Sequence, residues 1–546
     1  MAQLRLGPVL RHVDATSATV WVETDTPCTV RVLGVATPTF SVCGHHYALV
    51  IIEGLEPGTL HEYAVHLDDV RVWPEPGSMM PPSVIRTLRP DQPVKILLGS
   101  CRAAAPHEPP FTLERAFDPE GRGIDTLWAH ALELRDVPPQ EWPDLLLFVG
   151  DQVYADDSSP QAKQRIATLR GPDSELPPEI VANYEEYTWL YREAWWQPAE
   201  RWILSTVASA MVFDDHDMID DWNISESWAG DMRAEPWWPD HAAGGLMSYW
   251  VYQHLGNLSP AEIRAEGLLE RVSAEADGTA VLEAWATALD AHDEHTGTYR
   301  FSFVRRVGDV TVVVVDCRHG RVVTGSTRLM VGPDEWAWIR EQALAADGHV
   351  VLATTMPVFI ADGLHDFQVW SERVCDGAWG GRAARWGERL RRSLDLEDWS
   401  AFATSYQQFV ELVRDAASSA TPPHSVVVAS GDIHFTYAAR VPLAGVATPV
   451  WQVVSSPMRN ALIPPERGVM RFTLTRVGRR VGGLLRRLAR APETRPGIDV
   501  VTGPLFANNI CELRYDGASA ELCVEHCVPD SDGMPDLTAL PLVTLA

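Results

Sequence analysis

Acidic residues crowd into one short stretch of the chain, MVFDDHDMIDDWN, residues 211–223. The ionisable residues of this stretch are Asp214, Asp215, His216, Asp217, Asp220 and Asp221. Carboxylates at such spacing raise one another's pKa values, whereas bound cations favour their ionised forms. The stretch is therefore either a solvated acidic loop or one wall of a metal site.

Three other segments place chemically capable side chains directly after an apolar run. KILLGSCR ends with Cys101, FVGDQVYADD carries Asp151 and Tyr154, and SGDIHF carries Asp432 and His434 at alternate positions. Each short motif alone is common in turns, and alternate residues of an extended segment share a face. Together, thiolate, phenolate, imidazole and carboxylate groups at several strand ends suit a transition metal beside a harder cation.

The elements that would position these residues fall into two regions. From residue 4 to about 88, segments such as SATVWVET and HEYAVHLDDVRV alternate with turns and predict a small fibronectin/Ig-like β-sandwich, domain 1–90, which we expect to have a supporting role. From 91 to 546, apolar runs such as DLLLFV and VTVVVV predict an α/β core with strands buried on both faces. In such sheets, ligands bind beyond the carboxyl ends of the strands.

Two further segments have open interpretations. A Trp-rich insertion at about 160–300, with TWLYREAWWQP and EPWWPDHAAGG, is either packed core or a substrate-stacking wall. The arginine-rich stretch 476–495, RVGRRVGGLLRRLARAPETR, predicts an amphipathic helix. Its role is either to pack on the core with a solvated polar face, or to act as a lid or a contact for an anionic surface.

Composition excludes several classes of protein. In the 546 residues, 46% are hydrophobic and 22% charged, as in ordinary globular proteins, and the net charge is −29. This charge argues against a general binder of nucleic acid or anionic membranes, and an anionic substrate needs local cations. Eight cysteines are too sparse for a disulfide scaffold. The sequence shows neither a signal peptide nor a transmembrane run, so we expect a cytoplasmic location.

The motifs GSCR, GDQVYAD, DDHD and GDIHF, in this order after a β-sandwich, resemble the alkaline phosphatase D (PhoD) family of metallophosphatases. The resemblance covers most of the chain. It implies a metallophosphatase-type αββα sandwich core, with phosphomonoesterase or phosphodiesterase activity on a small-molecule or polymer phosphoester. It also implies iron (Fe³⁺) with calcium, or another divalent metal pair, as cofactors.

Carried over motif by motif, the resemblance assigns roles to individual residues. Cys101, Asp151, Tyr154 and His434 would hold the iron position, with Asp151 bridging to a second metal held by Asp215 and Asp432. His216 would face the substrate phosphate or the leaving group. Gln152 stands where some members have Arg, so the phosphate charge must be met elsewhere. Arg102 and Arg318 either meet it or form structural salt bridges.

The predicted activity is that of a phosphoester hydrolase in which a metal-bound hydroxide attacks phosphorus in line. Two alternatives remain open. One is a phospholipase-D-like phosphodiesterase acting on lipid or polymer phosphodiesters. The other is a non-catalytic binding protein in which the metal site is structural and the sandwich and insertion bind a partner.

Overall fold

A computed structural model describes residues 1–291, 299–325, 327–493, 495–530 and 533–546. The last residues of the predicted insertion, 292–298, and Thr494 of the arginine-rich stretch lie outside this description. Within the described part of the chain, no helix has the length and apolar character needed to cross a bilayer.

The strands, in chain order, are β1 (Leu4–Val13), β2 (Ser17–Thr24), β3 (Thr29–Val32), β4 (Val35–Pro38), β5 (Phe40–Val42), β6 (His45–Glu53), β7 (Leu60–Glu62), β8 (Val65–Leu67), β9 (Val70–Trp73), β10 (Val84–Arg86), β11 (Val94–Gly99), β12 (Leu145–Val149), β13 (Ser209–Val212), β14 (Phe303–Val307), β15 (Val310–Val315), β16 (His349–Thr354), β17 (Ser425–Ser430), β18 (Thr436–Arg440), β19 (Val450–Val454), β20 (Asp499–Leu505), β21 (Asn509–Asp516), β22 (Ser519–Pro529), β23 (Pro535–Ala539) and β24 (Val543–Thr544).

The α-helices are α1 (Thr126–Leu134), α2 (Pro160–Arg170), α3 (Tyr184–Trp195), α4 (Pro198–Thr206), α5 (Glu226–Arg233), α6 (Trp238–Ser248), α7 (Pro260–Glu266), α8 (Leu268–Ser273), α9 (Thr279–Asp290), α10 (Pro333–Leu344), α11 (Asp362–Cys375), α12 (Gly381–Ser393), α13 (Ala403–Ala417), α14 (Pro464–Thr473) and α15 (Arg476–Leu488). A π-helical turn, Tyr249–His254, follows α6.

The N-terminal region is β-rich, as its alternating pattern predicts. Its main sheets have the orders β1-β2-β6-β5 and β4-β3-β8-β9, and β7 pairs with β10. Strand β2 is buried along its whole length because it lies between β1 and β6 and its Trp21 packs against Trp195 and Tyr252 of the following region; β1 also packs against α4. The sandwich is therefore joined to the rest of the chain by an apolar contact. The division at residue 90 stays a prediction.

Two mixed sheets form the core. One has the order β13-β12-β11-β21-β22-β23, with β24 also on β22, and the other β14-β15-β16-β17-β19-β18-β20. The apolar runs of the sequence supply the parallel pairs: β11 with β12 and β12 with β13 in the first sheet, and β15, β16, β17 and β19 in the second. Inward residues of both sheets share one core cluster, so the sheets lie face to face.

Helices cover the outer faces of the two sheets. Helices α10 and α13 pack on the second sheet, and α1 packs on the first. The carboxyl ends of the parallel strands meet where the sheets join: Ser455, just after β19, donates its hydroxyl to the carbonyl of Leu98 in β11 at 2.6 Å. Every strand end that the sequence marked as chemically capable is thus brought to one region.

The arginine-rich stretch forms the one helix that the sequence predicts, α15, and this helix makes a helical hairpin with the preceding α14. Helix α15 packs against α11 through Gly478 and Gly482, which are buried. Its aliphatic residues Val477, Val481 and Leu484 are exposed. Helix α15 therefore packs on the protein, as one of the two interpretations expects, but through its small residues and Leu485, and most of its aliphatic residues face outward.

Candidate metal centre

The loops that follow β11 and β12 are joined by their backbones. The Cys101 N–H donates to the Gly150 carbonyl at 3.4 Å, and the Arg102 N–H donates to the Asp151 carbonyl at 3.2 Å. Because the two strands are parallel neighbours, these bonds continue the ladder past the strand ends. Cys101 and Asp151 are fixed side by side as a result.

Two glycines allow the loops to approach one another. A Cβ on Gly150, which has φ of 108°, would lie 2.8 Å from the Cβ of Asp214. A Cβ on Gly431 would lie 2.1 Å from the hydroxyl oxygen of Ser100 and 3.1 Å from the Val149 carbonyl. Both glycines therefore stand where any side chain would push the ligand loops apart.

We expect Gly431→Ala to destabilise the protein by about 1–3 kcal/mol, because the added methyl overpacks the junction of the two sheets. The matched control is Gly230→Ala in α5, where a Cβ meets nothing within 4 Å. That substitution should be neutral or slightly stabilising. Equilibrium urea unfolding of both variants measures the difference, and equal midpoints would contradict the close approach.

Four of the predicted metal ligands have left-handed backbone conformations. Their φ angles are 54° at Cys101, 49° at Asp151, 65° at Asp432 and 54° at His434. Such conformations are uncommon outside glycine and cluster at functional sites, where the surrounding structure maintains them. Strained backbone conformations therefore occur at the positions that the motifs identify.

The first cluster consists of Cys101, Asp151 and His434, whose ligand atoms all lie within 4.8 Å of one another. The Tyr154 hydroxyl donates to Asp151 Oδ2 at 3.4 Å, which places the phenol at the edge of this cluster. The Asn460 amide in turn donates to the Tyr154 hydroxyl at 3.3 Å. Thiol, carboxylate, imidazole and phenol thus lie together here, and their role as metal ligands stays a prediction.

Burial sets the protonation states of this cluster. It raises the pKa of the Cys101 thiol well above its usual value, and the charges of Asp151 and Asp432 add to the effect. Burial, followed by the charge of His216, lowers the pKa of His434 to about 3, so the ring is neutral and keeps a free lone pair. A cation here would favour the ionised thiol and carboxyl.

The second cluster consists of Asp151, Asp214 and Asp215, again with ligand atoms within 4.8 Å. Asp151 belongs to both clusters. Within the described residues, Asp151 Oδ1 and Asp214 Oδ2 are buried acceptors with no hydrogen-bond donor. Burial raises the pKa of Asp151 well above its usual value, and the charges of Asp214 and Asp215 raise it further.

The donor set fits the implied metals. Buried acceptors without donors cost about 1–3 kcal/mol each, and a cation would satisfy them. The first cluster offers soft and borderline donors, and the second offers carboxylate oxygens alone, which correspond to a transition metal and a harder cation respectively. Asp151, shared by both, is in the position of a bridging ligand.

Arg318 places a positive charge beside the second cluster. Its guanidinium is fully buried, its Nε donates to Asp214, and its Nη2 lies 3.1 Å from Asp215 Oδ1 and 3.6 Å from Asp432 Oδ1. Asp432 thus lies near the same guanidinium nitrogen as Asp215 and belongs to neither of the two clusters. In this geometry Arg318 neutralises these carboxylates. To contact the substrate phosphate, as predicted, Arg318 would have to break its ion pairs with them.

Arg102 lies in a separate buried network. Its guanidinium pairs with Asp125 at 2.8 Å and with Glu200 at 3.1 Å, and it donates to the Ala194 carbonyl at 2.7 Å. Its donors therefore go to this network and to neither of the two clusters. The structure gives it the geometry of a group that anchors the Cys101 loop.

His216 lies at the more open side of the clusters. Its Nδ1 is 2.9 Å from Asp156 Oδ1, and its ring packs on Tyr154 with centroids 4.8 Å apart. Burial favours the neutral ring, but the pairing with Asp156 and the charges of Asp215 and Asp151 raise the pKa of His216 well above its usual value. The ring carries a proton at neutral pH.

Sequence reasoning missed several residues of the site. Asp214 lies in the acidic stretch but is not among the predicted ligands; the turn there is held by Asp217, which accepts the Asp214 N–H at 2.9 Å. Asp156, the last residue of the GDQVYAD motif, contacts His216, and Asn460, in a loop with no motif, contacts Tyr154. Two arginines in the irregular segment after Cys101, Arg115 and Arg122, were also missed, and the residue types alone give no signal for them.

Arg115 and Arg122 flank the first cluster. Both lie near Asp157, at 3.5 and 3.9 Å. The charge of Arg115 contributes to the lowered pKa of His434. Arg122 and Tyr154 line the same cavity, of about 90 Å³. The site therefore has positive charge at its edge, although neither arginine follows a strand.

Comparison with known proteins identifies matches for two parts of the chain and for its fold. Residues 131–263 match the family model of the PhoD-like phosphatases, and residues 1–85 match a domain of unknown function, DUF7800. No curated protein matches the sequence. The solved structure of PhoD is similar over 99% of this chain and 90% of its own, with a TM-score of 0.58 and 11% identity. A purple acid phosphatase, PPD1 of yellow lupin (Lupinus luteus), covers 97% of this chain and 73% of its own at a TM-score of 0.46 and 11% identity.

The fold is that of a metallophosphatase, with paired mixed sheets between helices and a β-rich N-terminal region, as the sequence predicts. The predicted resemblance to the PhoD-like phosphatase family is likewise confirmed, since the matched segment contains the GDQVY and DDHD motifs. The match supports a metal-dependent phosphoesterase, and the two ligand clusters are consistent with that class.

Proposed function

We propose that this protein hydrolyses phosphoesters at a two-metal centre built on Cys101, Asp151, Tyr154, His434, Asp214 and Asp215. The observation that carries the proposal is the sharing of Asp151 by two clusters with different donor types. A single structural ion would need one cluster and no bridging carboxylate. Iron with calcium, or another divalent pair, suits these donors.

When bound, the metals would supply an activated water and charge stabilisation for an in-line displacement at phosphorus. The residues of the chain contribute the rest. Protonated His216, fixed by Asp156, can donate a proton to the leaving oxygen. Arg115 and Arg122 can attract the phosphate at the edge of the site, where Tyr154 lines the cavity. Arg318 holds Asp214 and Asp215 in place.

Hydrolysis assays with p-nitrophenyl phosphate and bis-p-nitrophenyl phosphate test the proposal on protein purified without chelator. We expect turnover of at least one substrate, loss in chelator, and recovery on adding back metal. The rate ratio separates a monoesterase from a diesterase, including a phospholipase-D-like one. If both substrates stay intact while elemental analysis shows stoichiometric metal, the non-catalytic alternative is favoured.

If the transition metal is ferric iron, Tyr154 should give the protein a visible charge-transfer absorption band. We expect Tyr154→Phe to remove this band while leaving the fold intact, because only the hydroxyl at the cluster edge is deleted. Tyr187→Phe is the control, since Tyr187 is a buried tyrosine whose hydroxyl faces the Met218 sulfur at 4.0 Å. A band that survives Tyr154→Phe would exclude the phenol as a ligand.

A further inference from the structure

The hairpin α14–α15 packs on the protein through its small residues. A Cβ on Gly482 would lie 2.5 Å from the carbonyl of Gly363 in α11, and one on Gly478 would lie 2.3 Å from the Phe472 carbonyl. The backbones of α15 and α11 thus approach one another closely. Most of the aliphatic side chains of α15 lie on its other side.

An aliphatic stripe runs along the outer side of α15. Its members are Val477, Val481, Leu484 and Leu488, with exposed fractions of 57%, 45%, 57% and 56%. Their spacing of four, three and four residues places them on one helix face. Val469 and Phe472 of α14 are also exposed. Contiguous exposed apolar residues of this kind mark an interaction surface.

Unpaired arginines border this stripe. Within the described residues, Arg476, Arg480, Arg487 and Arg490 form no ion pair and are exposed. The arginines of the inner side are engaged instead: Arg479 pairs with Asp362 at 3.0 Å, and Arg486 with Asp366 at 2.9 Å. In a chain of net charge −29, the outer face of α15 is therefore a local positive surface.

Two exposed tryptophans lie beside the same helix. Trp379 is 43% exposed and donates its indole N–H to the carbonyl of Leu488, the last residue of α15, at 3.2 Å. Trp386 of α12 is 51% exposed, and its ring lies 6.2 Å from that of Trp370 beneath. Indole rings with an apolar body and a polar edge favour the interface between water and lipid.

We propose that the outer face of α14–α15, with Trp379 and Trp386, docks on an anionic phospholipid surface. Its exposed aliphatic residues would enter the headgroup boundary and its free arginines would pair with lipid phosphates. Helix α15, with 13 residues, is about 20 Å long, short of the roughly 30 Å hydrocarbon core, so it would lie in the plane of the surface. The net negative charge of the protein opposes approach only weakly, because charges more than about 8 Å away are screened at physiological salt.

This surface is connected to the metal centre. Helix α14 begins four residues after Asn460, which contacts Tyr154. Met470 of α14 packs against the small cluster that contains Phe435, the neighbour of His434. A lipid surface held by the hairpin would therefore lie beside the ligand loops. Docking itself does not require catalysis, so it is independent of the proposed function.

Co-sedimentation of the full-length protein with vesicles tests the proposal. We expect binding to phosphatidylcholine vesicles that contain phosphatidylglycerol, little binding to phosphatidylcholine alone, and weaker binding at high salt. The variants V481D/L484D and R480Q/R487Q should each weaken binding about 10-fold or more. Matched controls are Leu169→Asp, at an exposed leucine of α2, and R414Q/R440Q, at exposed arginines elsewhere; both should bind normally.

Circular dichroism melting shows whether each variant is folded, and turnover of a soluble phosphoester should be equal in the hairpin variants and the parent. Binding that is the same with and without phosphatidylglycerol overturns the proposal, as does binding unchanged in both hairpin variants. If the parent self-associates but does not bind vesicles, and V481D/L484D does not self-associate, the proposal is overturned. The face would then bind a second copy of the chain.

Discussion

Asp151→Asn is expected to lower kcat/KM for phosphoester hydrolysis at least about 100-fold. This loss of activity exceeds the usual one for residues that only hydrogen-bond to a metal ligand. Asp151 is shared by the two ligand clusters, and its uncharged replacement binds cations less well at both. Metal content, measured by elemental analysis, should fall with activity.

The same substitution should not weaken the metal-free protein. Asp151 is crowded by Asp214 and Asp215, so removing its carboxylate relieves like-charge repulsion. We therefore expect the chelator-treated variant to unfold at an equal or higher urea concentration than the parent. Asp173→Asn, at an exposed position before α3, is the control. A variant that keeps full activity and metal would refute the bridging role.

Arg318→Gln is expected to lower the free energy of unfolding by about 3–5 kcal/mol, since it leaves buried carboxylates without their cation. The guanidinium pairs with Asp214, Asp215 and Glu397, all nearly inaccessible to solvent. Truncating one member of such a network is far more costly than losing a surface pair.

Added divalent cation should restore part of that stability in Arg318→Gln, because an ion that binds only the folded state stabilises it. The gain should exceed that of the parent, in which Arg318 already supplies the charge. Arg389→Gln, at an exposed position of α12, controls for loss of an arginine. A change below about 1 kcal/mol for Arg318→Gln would mean that the carboxylates are protonated and need no counter-charge.

The strand framework could be predicted from the sequence because its signal is local. The runs that become β11, β12, β15 and β17 are predominantly apolar, with Lys95 and Thr311 as the interior polar residues, and each ends at or next to the first residue of its polar motif. The glycines of the Gly-Asp motifs are also local signals, since Gly150 has positive φ. The hairpin between β21 and β22 turns at Asp516 and Gly517, where Gly517 has φ of 55°, and Asp-Gly pairs favour such turns.

The insertion shows the limit of such signals. Its aromatic residues could pack or bind ligand, and periodicity does not separate the two. In the described part, Trp195, Trp202 and Trp250 are nearly fully buried. For these residues the packed-core interpretation is the one the structure supports, because α3, α4 and the π-helical turn enclose them between the N-terminal sheets and the core.

The sequence by itself determined which residues end which strands, and hence the motif order, the metallophosphatase fold and the candidate ligands Cys101, Asp151 and His434. Only the tertiary structure decided the partners. In the folded protein Arg102 pairs with Asp125 and Glu200, and Arg318 lies between Asp215 and Asp432. Most aliphatic residues of α15 are exposed. Strand ends follow from patterns within a few residues. Ion pairs and helix faces depend on contacts between segments that are distant in the chain, which no local pattern encodes.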